Sequence, residues 1–477
     1  MSDPIVTTTE GAVRGSVDGD VRRFLAIPYA APPQGPGRFG PPVPHRPWAD
    51  VRDATEPGPT APQPDRGGFG ALDMSPFFGP GWVRGDDYLS VNVWAPREAE
   101  RSPVMVFVHG GGFVSGSNRA ALYDGSAFAR DGVVLVTVNY RLGIPGFLDV
   151  PGAPRNRGLL DVVAALRWVQ RNIAAFGGDP DNVTVFGQSA GATIVTGLLA
   201  TPEADGLFRR AIAQSGNGLR TFSPEQAARV TSAAAAALGV EPSGLVDVDD
   251  ERLVEIMPAL SGLDLRTADR LDPLVGLVPF SLVLDQQPVE SRLSGVDLLV
   301  GSNAEEGNLY LAPSGALANS TAADVRELAA RVHRDPDALV AAYRARMPEA
   351  SHGEVRSAIL GDAMFGVGSR RLAEAHGNAH VYEFAHRSSA VDGQLGAAHG
   401  VELPFVFDLL DRPELRGAKA LLGPAEPPAA LAEEMHSAWI SFARTGDPGW
   451  PRFGRDGTIR RFDAVSTTTE ARDLPGW

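Results

Sequence analysis

The chain has 477 residues, 43% hydrophobic and 21% charged, which is an ordinary globular balance and too much chain for one small core. Its 43 Lys and Arg stand against 58 Asp and Glu, a net charge of −15 that disfavours a role on nucleic acid or on an anionic membrane. The absence of cysteine excludes disulfides, thiolate metal sites and cysteine catalysis.

The chain opens with MSDPIVTTTEGAVRG, which has neither a basic n-region nor an apolar h-region. No run approaches roughly 18 consecutive apolar residues, so no stable membrane insertion is expected. With the cysteine-free composition this points to a cytoplasmic chain, secretion being the alternative, and a monomer is favoured. The first 85 residues are rich in Pro and Gly, as in IPYAAPPQGPGRFGPPVPHRPW, and read as irregular connections and edge structure. Within them ALDMSPFFGPGW (71–82) either lines a site entrance or packs as a surface loop.

After residue 85 the pattern changes. YLSVNVWAP (88–96), PVMVFVHG (103–110), GVVLVTVNY (132–140), NVTVFG (182–187), RRAIAQSG (209–216) and GVDLLVGSN (295–303) read as short strands. They are rich in Val, Leu and Ile without polar alternation, as expected of a sheet covered on both faces. Between two of them GLLDVVAALRWVQRNIAAFGG (158–178) has apolar residues at helical spacing and a Gly-Gly stop. Strand, helix, strand in that order implies a mostly parallel α/β sheet. The Ala-rich region 217–290 and the block 321–376 read as helical insertions, AHVYEFAH (379–386) as a strand, and LAEEMHSAWISFARTG (431–446) as the last strong helix. No linker divides the chain, so one domain over 1–477 is expected, with the two insertions covering the entrance to its active site.

The stretch VTVFGQSAGATIVTG (183–197) carries G-x-S-x-G around Ser189. The five-residue pattern alone is common. Here a buried-strand run precedes it and helix-compatible residues follow, the strand–turn–helix setting in which a serine is raised as a nucleophile. Acyl transfer also needs oxyanion donors, a histidine base and an orienting carboxylate. VMVFVHGGGFVSGS (104–117) ends a strand in His109-Gly110-Gly111-Gly112, where glycines free backbone N–H groups to point into a cavity. It lacks the G-x-G-x-x-G and G-x-x-x-x-G-K spacings of phosphate loops.

Nine histidines compete for the base. His109 shapes the glycine loop; His333, His376 and His436 lie in or beside helical patterns; His380 and His386 bracket a strand; His45 and His352 have no informative neighbours. His399, in LGAAHGVELPFVF, follows both a strand and Ser189, as the order serine, acid, histidine requires. For the acid, Glu305 and Glu306 follow a strand between the two, whereas Asp247, Asp249, Asp250 and Glu251 form a charged run that reads as a solvated face.

Taken together the chain resembles the type-B carboxylesterases, the family of para-nitrobenzyl esterase-like bacterial enzymes and cholinesterases. The resemblance runs through FLAIPYAAPPQGPGRF (24–39), W-x-x-V-R-D-A-T (48–55), DDYLSVNVWAP (86–96), HGGGFVSGS (109–117), NYRLGIPGFL (139–148), residues 156–192, AIAQSG (211–216), NAEEG (303–307), HGVELPFVF (399–407) and WISFARTGDP (439–448). It implies an α/β-hydrolase fold: a central, mostly parallel sheet with helices on both faces and helical insertions. It also implies Ser189 as nucleophile, Glu306 as acid, His399 as base, and Gly111, Gly112 and Ala190 as oxyanion donors. Ser215 and Glu402 resemble supporting residues near the histidine. The family's frequent E-D-C-L is Asp86-Asp87-Tyr88-Leu89 here and its C-P-Q is Ala61-Pro62-Gln63, so the disulfide across that loop is missing and a more mobile entrance is expected. A common D-Q pair is Asp161-Val162.

The implied function is hydrolysis of small carboxylic esters through an acyl-enzyme, with no metal or organic cofactor. The same machinery on carbamates, amides or lactones is the alternative, and a non-catalytic binding protein on this fold a further one. Activity should fall in acid as His399 takes a proton and ceases to be a base.

Overall fold

Eleven strands form the main sheet of this computed structural model, which describes residues 3–477 apart from positions 292 and 294. In chain order they are β1 (Ser16–Asp18), β2 (Val21–Pro28), β3 (Ser90–Pro96), β4 (Ser102–Val108), β5 (Val134–Val138), β6 (Gly178–Gln188), β7 (Arg210–Gln214), β8 (Asp297–Asn303), β9 (His380–Phe384), β10 (Thr458–Phe462) and β11 (Thr467–Glu470). Their spatial order is β11-β10-β9-β8-β7-β6-β4-β5-β3-β2-β1. Every pairing from β10 across to β5 is parallel, and the edges are antiparallel: β11 on β10 at one side, β3, β2 and β1 at the other.

The unbroken apolar runs follow from burial on both faces. In β4, Val104, Val106 and Val108 point to one core, with Trp168 and Ile194, while Met105 and Phe107 point to the other, with Phe186 and Trp439. Helices α1 (Arg157–Asn172) and α2 (Ala190–Leu199) contribute to the first core and a C-terminal helix, Ala429–Thr445, to the second. The predicted Gly-Gly stop of α1 is real but displaced by a 3-10 turn, Ile173–Phe176, after which Gly177 adopts φ 88°.

Four strands of the main sheet lie where the sequence signals none, one of them the edge strand β1. β2, inside the Pro- and Gly-rich start, carries Arg22 and Arg23, and β10 and β11 read TIRRF and TTTE. Each lies toward an edge of the sheet, partly covered in β2 and β10 and exposed in β11, so an apolar run is not required. The region 217–290 is only partly helical. Helix α3 (Pro224–Leu238) has the capping box Ser223/Gln226 and ends at Gly239 with φ 69°, and Asp250–Ile256 follows. Beyond 260 the backbone is irregular as far as Pro288, because Pro273 and Pro279 remove donors that a helix needs. The charged run is not simply a solvated face either: Asp249 caps the helix that follows it and Asp250 pairs with Arg38 at 3.2 Å. The block 321–376 is helical as expected, as α4 (Ala322–Val332), α5 (Pro336–Arg346), α6 (His352–Gly361), a π turn at Asp362–Gly366 and α7 (Val367–His376). Among the described residues no helix is long and apolar enough to cross a membrane.

Candidate active site

β6 ends at Gln188 and α2 starts at Ala190, so Ser189 occupies the single residue between strand and helix. Its backbone sits at φ 57°, ψ −121°, a conformation L-residues rarely adopt. Two hydrogen bonds hold it there: its N–H donates to the Gln214 carbonyl at 3.0 Å, and its carbonyl accepts from the Thr193 N–H at 2.9 Å. The turn presses against the end of β4, where a Cβ on Gly191 would lie 2.0 Å from the Val108 carbonyl oxygen. A side chain at 191 would therefore push the serine off its perch.

The glycine loop continues β4 along the same edge. Gly111 and Gly112 have φ 112° and 64°, and a Cβ on Gly111 would lie 1.9 Å from the Ser115 carbonyl oxygen. Among the described residues no protein acceptor meets the N–H of Gly111, Gly112 or Ala190. His109 braces the loop rather than joining the chemistry. Its Nδ1 lies 2.8 Å from the Gly110 carbonyl, its ring stacks on Tyr140 at 4.5 Å, and burial pulls its pKa down to about 4, so it stays neutral. Gln63 clasps the glycine loop: its Oε1 accepts from the Gly116 N–H at 2.8 Å and its Nε2 donates to the Gly116 carbonyl at 3.1 Å.

Glu306 and His399, the expected acid and base, lie in the segments that follow β8 and β9. His399 Nδ1 lies 2.6 Å from Glu306 Oε2, and both side chains are almost wholly buried. The other Glu306 oxygen accepts from Ser215 Oγ at 2.5 Å and from the Asn303 N–H at 2.7 Å. Neighbouring Glu305 faces the other way, pairing with Arg387 and accepting from the Ala397 N–H at 2.9 Å. Ser215 thus touches the carboxylate and not the imidazole. Glu402 is also one step removed: it accepts from the Asn303 amide at 2.6 Å and from Gln214 at 3.4 Å. Burial, and then the Glu306 charge, push its pKa up to about 7.

Ser189, Ala190, Gly111, Gly112 and His399 line one cavity of about 100 Å³, with Met74, Phe77 and Phe78 on its wall. The 71–82 loop is therefore a lining element. A larger open cleft of about 700 Å³ runs past Pro180, Pro202 and Arg209 at the opposite end of β6 and β7, away from the strand ends where ligands of open α/β sheets bind. Several residues at the site carried no sequence signal. Phe365 stacks on His399 at 4.2 Å, Asn303 joins the two glutamates, and Gln188, the unspecified residue of the motif, has its amide nitrogen 3.3 Å from His399 Nε2. Only the motif position of Gln188 could have drawn attention beforehand.

Residues 2–457 match the model of the carboxylesterase family. The chain is 36% identical to the para-nitrobenzyl esterase of Bacillus subtilis (strain 168) over 95% of its length and 93% of that protein's. It is 35% identical to the phenmedipham hydrolase of Pseudarthrobacter oxydans over 99% of its length and 98% of that protein's. The solved carboxylesterase of Geobacillus stearothermophilus superposes with a TM-score of 0.83 at 34% identity, covering 97% of both chains. With a family model spanning nearly all of it, and relatives and an α/β-hydrolase structure aligned end to end, this chain belongs to the carboxylesterase family and is a carboxylic-ester hydrolase.

Proposed function

We propose that the protein hydrolyses its ester through a covalent acyl-enzyme on Ser189, with His399 as base and Glu306 as the acid that orients it. The observation that carries this reading is the 2.6 Å contact between His399 Nδ1 and Glu306 Oε2, placed beside a serine held on a positive-φ turn in the same cavity. With Nδ1 engaged by the carboxylate, Nε2 is the ring nitrogen left to receive a proton.

In the first half-reaction His399 Nε2 takes the Ser189 hydroxyl proton as Oγ adds to the ester carbonyl carbon. The carbonyl oxygen becomes an oxyanion facing the N–H groups of Gly111, Gly112 and Ala190, each such donor being worth about 3 kcal/mol at the transition state. The C–O bond to the alcohol then breaks, and the alcohol leaves with the proton held on His399. Water adds to the acyl-serine by the same roles in reverse, releasing the carboxylic acid and restoring Ser189. Glu306 keeps its negative charge throughout and stabilises the imidazolium that forms twice per cycle. The regions 217–290 and 321–376 cover the entrance, a reading supported by Leu274, Leu277 and Val278 from the first and Met364 from the second on the cavity wall.

Ser189→Ala is expected to lower kcat on a short-chain p-nitrophenyl ester by roughly 10³-fold or more with the circular dichroism unchanged, and to abolish labelling by a fluorophosphonate. Near-normal turnover in the folded variant would end the assignment.

A further inference from the structure

Two guanidinium groups, Arg66 and Arg220, share the cavity wall with Ser189 and His399. Arg220 is only 5% exposed, and its Nε and Nη2 are buried without a hydrogen-bond partner. Arg66 lies between Phe69 and Phe78, 4.9 and 5.2 Å from their ring centres, and its Nη1 is 3.7 Å from the point where a Cβ on Gly112 would sit. Among the described residues neither side chain has a carboxylate within ion-pair distance.

Neither cation is neutralised from a distance. The acids whose fields reach Arg220 are Glu306 and Asp272. Glu306 is committed to His399, Ser215 and Asn303, and Asp272 accepts from backbone N–H groups, among them that of Leu274 at 3.0 Å. Tyr310, which interacts with both arginines, is driven by burial toward its neutral form and supplies no charge. Burial pulls the Arg220 pKa down only to about 9, so at neutral pH it remains a desolvated, unpaired cation. Its guanidinium stacks on Phe365 at 4.6 Å, and Phe365 in turn stacks on His399, so the charge stands one ring away from the base. Buried charges of this kind are ordinarily paired, and a bidentate guanidinium matches a carboxylate best.

We propose that the preferred substrates of this site are esters bearing a free carboxylate on one side of the scissile bond, held by Arg220 and Arg66. The inference rests on the reading of Ser189 as nucleophile and adds a substrate class to it. It also gives the unpaired cations a ligand in a chain whose net charge of −15 would otherwise repel one.

Acid release in a pH-stat compares two matched pairs on the full-length chain. Monoethyl glutarate against ethyl valerate places the carboxylate on the acyl side; O-butyrylglycolate against propyl butyrate places it on the alcohol side. In one pair the charged ester is expected to have a kcat/KM about tenfold or more above its neutral partner. Arg220→Gln and Arg66→Gln should each reduce that ratio by about tenfold. The ratio is read, so a general loss of activity in a variant does not imitate the effect. If Arg220→Gln fails to fold, Arg66→Gln, at the less deeply buried of the two positions, decides. Charged-to-neutral ratios at or below unity in both pairs, or an unchanged ratio in the folded variants, would overturn the proposal. Neutral-ester hydrolysis that vanishes in Ser189→Ala would leave the nucleophile standing in that event, whereas hydrolysis that survives Ser189→Ala defeats the nucleophile itself.

Discussion

Two buried clusters of charge meet at the cavity, and they are built on opposite rules. Around Glu306 each carboxylate oxygen has partners: His399 on one, Ser215 and the Asn303 N–H on the other, with Glu402 tied in through the Asn303 amide. Around Arg220, donors are buried with nothing to donate to. Carboxylate oxygens that are all engaged in low dielectric fix where the imidazole points, even though Asn303 Oδ1 beside them is left without a partner, while guanidinium donors with no acceptor store affinity for whatever completes them. On the proposed mechanism, the first cluster performs the reaction and the second selects what reacts.

The sharpest way to break the satisfied side is at its centre. Glu306→Gln keeps the shape but offers His399 a neutral partner, and kcat is expected to fall by roughly 10²–10⁴-fold with little change in KM, measured on a p-nitrophenyl ester. A fall below tenfold would mean that the carboxylate is not orienting the base.

Glu402 tests the cost of crowding two carboxyls in one network. Its folded pKa of about 7 lies above the ordinary carboxylate range, so between about pH 4 and 7 the folded chain holds a proton that the unfolded chain has released. The stability this proton represents is present below the unfolded pKa and is lost as pH rises through the folded one, on the order of 3 kcal/mol in all. Urea unfolding should therefore show stability falling from pH 5 to pH 8, and Glu402→Gln should flatten that slope. An equal slope in the variant would place the titration elsewhere.

Ser215→Ala should do least. It removes one of two donors to Glu306 Oε1 and leaves the Asn303 N–H in place, so kcat should drop about tenfold or less and stability by about 1 kcal/mol.

What was legible in the sequence follows the same division. The central strands announced themselves because both faces are covered, which makes Val106 and Phe107 equally apolar although they point to different cores. β2 and β10 did not, since their arginines sit toward half-covered edges. Ser189, Gly111 and His399 were legible because strand ends and close backbone approaches demand particular residue types. Choosing Glu306 over Glu305 needed the family resemblance, because adjacent residues share every local signal and only the turn after β8 aims one at His399 and the other at Arg387. Phe365 and the two arginines were invisible: their importance lies in what they face across the fold, and the residues concerned are far apart in the chain.

That separation bears on how activity returns after unfolding. Past the strand ends one backbone bond follows another, from Ser189 to Gln214, Ser215 to Gly301, Ala304 to Phe384 and Ala385 to Phe462, so the edge carrying the chemistry is stitched across five strands. No contiguous fragment shorter than residues 111–399 contains all the participants. Such non-local pairings form slowly, after local helices have already gained their signal. Recovered esterase activity is thus a clock for completion of the whole sheet, and during refolding it lags behind helical circular dichroism.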